Sequence, residues 1–325
     1  MNFLRPLLDR FTLALLATVA VASLLPCSGS GAALFDGLAK LAVGLLFFLH
    51  GARLSRSAII AGASHWRLHL LVFACTFALF PLLGLALQPL LGPWLGAELY
   101  VGMLYLCALP GTVQSAIAFT SMARGNLPAA VCSASASSIL GIFLTPLLVS
   151  LLLGAETAAG SPLQAIGRIL VQLLLPFLAG HLSRPWLADW LDRRRAWLKV
   201  VDQGSILLVV YTAFSAAVVE GLWRAVPLPS LLILVVACCL LLALALLATT
   251  LLSRRLGFAT EDEIAIVFCG SKKSLVAGVP MAQVLFAGGT AGAALLPLML
   301  FHQIQLMVCA VLAQRYARRA GAPAH

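Results

Sequence analysis

The residues that invite chemistry are Lys272 and Lys273, which sit in the otherwise apolar run Phe268-Cys269-Gly270-Ser271-Lys272-Lys273-Ser274-Leu275-Val276-Ala277-Gly278-Val279-Pro280. A lysine near the bilayer centre costs about 2.5 to 3.5 kcal/mol on insertion scales, and such a residue faces a cavity or a partner rather than lipid. Ser271 and Ser274 stand beside the lysines. The segment therefore raises two chemistries. One is a binding site for a solute or ion inside a membrane. The other is an intramembrane Ser-Lys enzyme, in which the lysine would activate a serine hydroxyl. No oxyanion-hole arrangement is legible in the sequence to support the second, and it contains no nucleotide-binding loop.

The elements that must position these residues follow from composition. Of 325 residues, 62% are hydrophobic and only 10% charged, and the mean hydropathy is +1.05, values of a polytopic membrane protein rather than a soluble domain. Apolar runs near the length that spans a hydrocarbon core fall at 11–26, 34–52, 68–91, 97–123, 127–154, 162–186, 203–223, 229–252, 262–286 and 290–314. Ten spans place both termini on one side. With the termini cytoplasmic, most of the 21 basic residues fall on inside segments, among them Arg53, Arg56 and Arg67, the Arg184–Lys199 connection, Arg254 and Arg255. This is the distribution the positive-inside rule requires of a cell-membrane protein, here a multi-pass protein of the cell inner membrane. It accounts for the net charge of +10 without nucleic acid as a partner.

Arg5 and Arg10 followed by the apolar run 11–25 resemble a secretory signal. The run is read as a retained first helix, because its removal would leave nine spans and break the symmetry described next. The eight cysteines contain no CxxC pair and nearly all lie in apolar runs, so they read as small hydrophobes, not metal ligands. The connection 187–202, with Trp190 and Trp197 close to Trp186, reads as an interfacial segment at headgroup level joining two halves.

Gly111-Thr112-Val113-Gln114-Ser115-Ala116-Ile117-Ala118 in the fourth span and Gly270-Ser271-Lys272-Lys273-Ser274-Leu275-Val276-Ala277 in the ninth share the pattern G-[ST]-x-x-S-x-[IV]-A. The same offset carries the starts of the third and fifth spans close to those of the eighth and tenth. Each half then holds five spans, an odd number, so the halves run through the membrane in opposite senses. Both matched spans contain helix breakers: Pro110 and Gly111 in one, Gly270, Gly278 and Pro280 in the other. Unwound backbone at that depth must be buried or line a cavity, and a matched pair of interrupted spans points to a transport site.

On these two segments the chain resembles the bile acid:sodium symporter (SBF-like) family, in its less characterised prokaryotic branch, and the resemblance covers essentially the whole chain. It implies an all-α polytopic membrane fold of ten transmembrane helices in two inverted five-helix repeats. A panel domain would comprise helices 1, 2, 6 and 7, and a core domain helices 3–5 and 8–10, with broken helices 4 and 9 crossing in the core. Along the chain, 1–186 would hold the first repeat plus helix 6, 187–202 the connection and 203–325 helices 7–10. It implies secondary active transport of a small organic, anionic solute by alternating access, with no cofactor, sodium or a proton as coupling ion, and the lipid bilayer as surroundings. It does not give the oligomeric state.

Carried over residue by residue, Ser115 matches the fourth-helix motif, but the asparagine that follows in the sodium-binding branch is Ala116. Ser135 and Ser138 fall in the fifth-helix stretch that supplies hydroxyls in the family. The ninth-helix glutamate followed by Gln-Asn reads Phe268 and then Lys272-Lys273. The anionic ligand expected of a hard-cation site is thus replaced by cations nearby. One lysine could act as a built-in cation at the negative carbonyl end of a half-helix. If burial makes its neutral form reachable, it could couple transport to protons. The other could attract the solute, since successive residues point about 100° apart on a helix.

The candidate site therefore comprises Gly111, Thr112, Gln114, Ser115, Ser135, Ser138, Gly270, Ser271, Lys272, Lys273 and Ser274, joined by His302 and Gln305 of the tenth span. Each has a structural alternative. The lysines could snorkel, although they lie far from either end of their span. Serines could pack helices, and His302, Gln303 and Gln305 could bond a neighbouring helix. Glu263 reads as the end of a capping box at Thr260-Glu261-Asp262-Glu263 rather than as a coupling carboxylate. Lys40 reads as structural, and Thr212 and Ser215 as candidate cavity residues on the panel side. A regulatory membrane protein without transport is the remaining alternative.

Overall fold

The computed structural model describes residues 10–53, 65–154, 167, 170–286 and 290–319. Arg5, Arg56, Arg168 and the start of the sixth apolar run lie outside them. Every regular element among the described residues is helical. The helices are α1 (Arg10–Leu24), α2 (Ser30–Arg53), α3 (Trp66–Ala74), α4 (Phe80–Ala108), α5 (Gln114–Met122), α6 (Leu127–Leu153), α7 (Leu175–Arg193), α8 (Arg195–Val219), α9 (Leu222–Ala225), α10 (Leu228–Arg255), α11 (Thr260–Gly270), α12 (Leu275–Leu285) and α13 (Thr290–Arg319). π-helical turns at Cys75–Leu79 and Leu170–Leu174 lead into α4 and α7. Among the described residues seven continuous helical stretches are long and apolar enough to cross a membrane, and the chain is a polytopic membrane protein.

One of those stretches, Trp66–Ala108, has 43 residues and would reach about 64 Å if straight, far more than a bilayer core. It is not straight. Gly96 has φ 75° and ψ 165°, open to glycine and strained for other residues, and Pro89 and Pro93 precede it. The chain reverses there, for the Tyr100 hydroxyl donates to the Gly84 carbonyl at 2.6 Å, and Gly84 packs on Leu104 and Cys107. One apolar stretch thereby becomes two antiparallel limbs.

The helices pack in two groups. α1, α2, α7 and α8 contact one another, whereas α3 to α6 and α10, α11 and α13 form the second group, with α12 joined to α13. The groups meet along α8, which lies against α12 and α13. In the first group α2 and α7 touch backbone to backbone. A Cβ added at Gly51 would fall 1.9 Å from the Phe177 carbonyl oxygen, and one at Gly180 1.9 Å from that of Phe48. Small residues at such a seam let helices approach without a polar bond.

Two local expectations change. The 187–202 segment is not a separate element. α7 runs to Arg193 and α8 starts at Arg195, so the connection is a corner between two long helices. Trp190 and Trp197 meet edge to face there at 5.8 Å, and Trp186 is exposed. The capping box at Thr260 does not form either. Ala259 is the N-cap residue and no side chain caps the helix. The Glu263 carboxylate instead accepts two hydrogen bonds from Arg254, at 2.8 and 2.9 Å, and one from the Tyr316 hydroxyl at 2.7 Å. A bidentate guanidinium pair outcompetes a neutral backbone donor, and it ties α10, α11 and α13 together at the arginine-rich end.

Candidate functional site

α4 ends at Ala108, where Leu109 and Pro110 leave helical geometry, and α5 begins at Gln114. α11 ends at Gly270, and α12 begins at Leu275 after Ser274, whose hydroxyl accepts from Ala277 N at 3.1 Å. The two interruptions abut. Ser274 N donates to the Pro110 carbonyl at 2.9 Å, and a Cβ on Gly111 would lie 3.0 Å from the Cys269 carbonyl oxygen and 3.7 Å from that of Lys272. Only a residue without a side chain leaves room for that approach.

A helix that stops inside a membrane leaves carbonyls without intrahelical partners, and each must be satisfied locally. At the end of α4 the four carbonyls of residues 107–110 find partners outside the helix. The Cys107 and Leu109 carbonyls accept from Lys273 Nζ at 2.8 and 2.7 Å, the Ala108 carbonyl from Thr145 Oγ1 at 3.0 Å, and that of Pro110 from Ser274 N. The third contact of Lys273 Nζ is the Thr76 carbonyl, at 2.7 Å, in the π-helical turn before α4. Such turns alter the backbone bonding ladder and are frequent at functional sites. Lys273 is 0% exposed, its ammonium lies 4.2 Å from the Phe80 ring centroid, and it does not snorkel.

Lys272 is also 0% exposed, in different surroundings. Its Nζ donates to the Ser115 carbonyl at 3.1 Å and lies 3.8 Å from the Phe119 and 5.4 Å from the Phe268 ring centroid. Phe268, which stands where the resemblance leads one to expect a glutamate, thus supplies an aromatic face to a cation. The two ammonium groups thus occupy different surroundings, and both lysines stand in the non-helical break between α11 and α12.

The break before α12 is held from α13. Lys273 N donates to Gln305 Oε1 at 2.9 Å, and Gln305 Nε2 donates to the Lys273 carbonyl at 2.8 Å and to His302 Nδ1 at 2.9 Å. Gln305 is 0% exposed. The tenth-span cluster therefore clamps the unwound backbone. From α6, it is Ser137 that reaches the other break, its Oγ accepting from Gly111 N at 3.1 Å, whereas Ser135 and Ser138 are half-buried elsewhere on that helix. Ser133 lies 2.6 Å from His69 Nδ1. Ser115 donates to Thr112 Oγ1 at 2.8 Å, and Gln114 is exposed.

This geometry removes the Ser-Lys dyad. Ser271 Oγ donates to the Val267 carbonyl at 2.6 Å, Ser274 Oγ caps α12, and both ammonium groups are engaged by carbonyls on other segments. Thr76, Phe80 and Phe119 complete the constellation without having been singled out, and Ser137 joins it from the same stretch of α6 as Ser135 and Ser138. Thr76 carries no motif at all.

A cavity of about 560 Å³ lies between the two helix groups, lined by Asp36, Lys40, Gln172, Thr212, Gln283 and Phe286 among others. It is at the end of the bundle opposite the Arg254–Glu263 pair. Thr212 lines it as anticipated, and Ser215 is not part of its wall. Lys40, expected to be structural, is on the wall and pairs with Asp36 at 2.7 Å. Neither Lys272 nor Lys273 reaches it. Phe286 connects it to the breaks, because its ring meets that of Tyr105 edge to face at 5.1 Å and the Tyr105 hydroxyl donates to the Gly278 carbonyl in α12. Among the described residues no cluster of His, Cys, Asp and Glu could hold a metal ion.

Residues 9–318 match the sequence pattern of the SBF-like CPA transporter family. The chain is 69% identical over 311 residues to an uncharacterized protein of Pseudomonas aeruginosa, covering 96% of this chain and 93% of that one. It is 58% identical over 313 residues to an Escherichia coli protein named "Putative symporter YfeH", covering 96% and 94%. It is 30% identical over 276 residues to the rat protein named sodium/bile acid cotransporter 7, covering 84% and 81%.

Proposed function

This chain belongs to the SBF-like CPA transporter family, and is thus a multi-pass membrane transporter and not an enzyme; from that premise we propose that it carries a small organic, anionic solute across the cell inner membrane by alternating access. In this reading ten spans form two inverted repeats. α1, α2, α7 and α8 make the panel, and α3 to α6 with α10 to α13 make the core, in which α4–α5 and α11–α12 are the crossing broken helices. Both termini face the cytoplasm, where Arg53, Arg254 and Arg255 satisfy the positive-inside rule.

The observation that carries the proposal is the cavity of about 560 Å³ between the two helix groups, within the size range of small-molecule sites. Its walls come from both groups, α2, the turn before α7 and α8 on one side and α12 and α13 on the other, so sliding one group past the other would close it at one end. Among the described residues lining it Lys40 carries the positive charge and, released from Asp36, would pair with an anionic solute. Gln172, Thr212 and Gln283 supply neutral hydrogen-bonding groups.

The rat relative is named for sodium and bile acid. Sodium or a proton is the coupling ion in the present reading, and the lysines at the paired breaks make the sodium sites the place where this chain departs from the pattern.

Uptake of a panel of organic anions into proteoliposomes, with sodium and proton gradients imposed separately, tests the function. Gradient-driven accumulation of at least one anion, with Km raised or rate lowered at least tenfold by Lys40→Gln, is the expected result. Absence of uptake for every anion under both gradients would overturn it.

A further inference from the structure

We infer that the Lys273 side chain is a tethered cation occupying a carbonyl-lined site at the paired helix breaks, so that no inorganic cation is needed at this position when the two breaks come together. The inference rests on the transporter reading for its meaning in the transport cycle, but not for its structural content.

Lys273 Nζ touches three oxygens, the carbonyls of Thr76, Cys107 and Leu109, at 2.7, 2.8 and 2.7 Å. An ammonium has three N–H donors and no acceptor, so the number of oxygens matches the number of donors. Two of the oxygens belong to the C-terminal end of α4, where aligned peptide dipoles leave a partial negative charge. The third comes from the π-helical turn, on a segment that precedes α4 in the chain and packs back against it. The Phe80 ring, 4.2 Å away, closes the site with the negative face of its π system. Neutral carbonyl oxygens converging on one buried point, with no carboxylate among them, suit a monovalent cation better than a divalent one, whose sites add carboxylates. Here the charge arrives on the protein's own side chain, and its backbone is locked by the two Gln305 hydrogen bonds. The cation cannot leave during the cycle, and its stem ties α12 to α4 as long as the breaks stay paired.

Lys272 provides the internal contrast. Its ammonium takes one carbonyl and two aromatic rings, an arrangement with no set of oxygens for a free ion to adopt. Truncating Lys273 therefore vacates a site built of oxygens, and truncating Lys272 does not.

The test is thermal stability of the full-length protein in detergent, with choline, sodium, ammonium or methylammonium chloride at matched ionic strength. The wild type sets the reference melting temperature in each salt. Lys273→Ala should melt lower in choline, and ammonium, methylammonium or sodium should restore at least half of the loss in a saturable way. Lys272→Ala should show no salt-specific recovery. A Lys273→Ala protein equally unstable in every salt would overturn the inference. Should Lys273→Ala not survive extraction in choline, it is extracted in ammonium chloride and exchanged into choline, where an unchanged melting temperature would overturn the inference in the same way. No solute enters this experiment, so a failed uptake assay counts against the proposed function and leaves the tethered cation standing, and a failed salt test does the reverse.

Discussion

The two helix breaks carry the same sequence pattern and solve the same problem with opposite chemistry. At 109–113 the chain offers carbonyl oxygens and no charged side chain; at 271–274 it offers two ammonium groups and a backbone clamped from α13. Even where the repeat keeps the residue type it changes the work. Ser274 caps α12, whereas Ser115 donates to Thr112. Gln114, which matches Lys273, is exposed, and Lys273 is 0% exposed. What the repeat preserves is the ability of the backbone to stop being helical at one depth. The polar groups that stabilise the stop are supplied across the pair, because carbonyls left by one break are served by donors from the other.

The contrast can be broken from the clamped side with the largest effect. Gln305→Leu removes both partners of the Lys273 backbone. Each buried orphan costs about 1 to 3 kcal/mol, so the loss should be about 2 to 6 kcal/mol, seen as a lowered melting temperature and loss of any uptake. A melting temperature within 1 °C of the wild type would show that the amide clamp contributes nothing. At the uncharged break, Gly111→Ala places a Cβ 3.0 Å from the Cys269 carbonyl oxygen. Overpacking of this kind costs about 1 to 3 kcal/mol. Gly270→Ala, whose Cβ would meet the side chains of Cys75 and Thr249 at 3.2 and 3.3 Å, should be milder, because side chains yield more readily than backbone. A reversed order in the two melting curves would contradict the close approach at Gly111. Ser137→Ala removes one hydrogen bond from Gly111 N and should cost about 1 kcal/mol, while Ser135→Ala and Ser138→Ala leave the melting temperature unchanged.

Those serines mark where the sequence stops being legible. Composition, span lengths and the Pro110, Gly111 and Gly270 breakers were enough for a helical membrane protein with two interrupted spans, and the cost of burying a lysine singled out Lys272 and Lys273. A resemblance can identify the polar stretch of α6, but rotation of about 100° per residue decides which hydroxyl reaches a break, and no spacing rule fixes that phase. Thr76 contributes only its carbonyl, so its side chain gives no signal, and it lies 197 residues from Lys273. The motif at Thr260 misled for a related reason. Glu263 has the spacing of a capping residue, but Arg254 and Tyr316 arrive from other helices and hold the carboxylate more strongly than a backbone amide would. In each case the deciding partner comes from another element of the fold.

The smallest effect sharpens the comparison most. Gln114 and Lys273 occupy the same place in the repeat, and a symmetric pair of breaks would make both structural. Exposed substitutions away from buried networks change stability by no more than about 0.5 kcal/mol, so Gln114→Ala should melt like the wild type. Gln114 precedes Ser115, whose carbonyl receives Lys272, so its replacement could act only through the backbone of α5, which alanine supports better than glutamine. A substantial loss of stability in Gln114→Ala would mean that this side chain is engaged in the membrane-embedded protein, and that the first break has polar support of its own. An unchanged melting curve, beside the loss expected for Lys273→Ala in choline, would place the charged half of the pair wholly on α11 and α12.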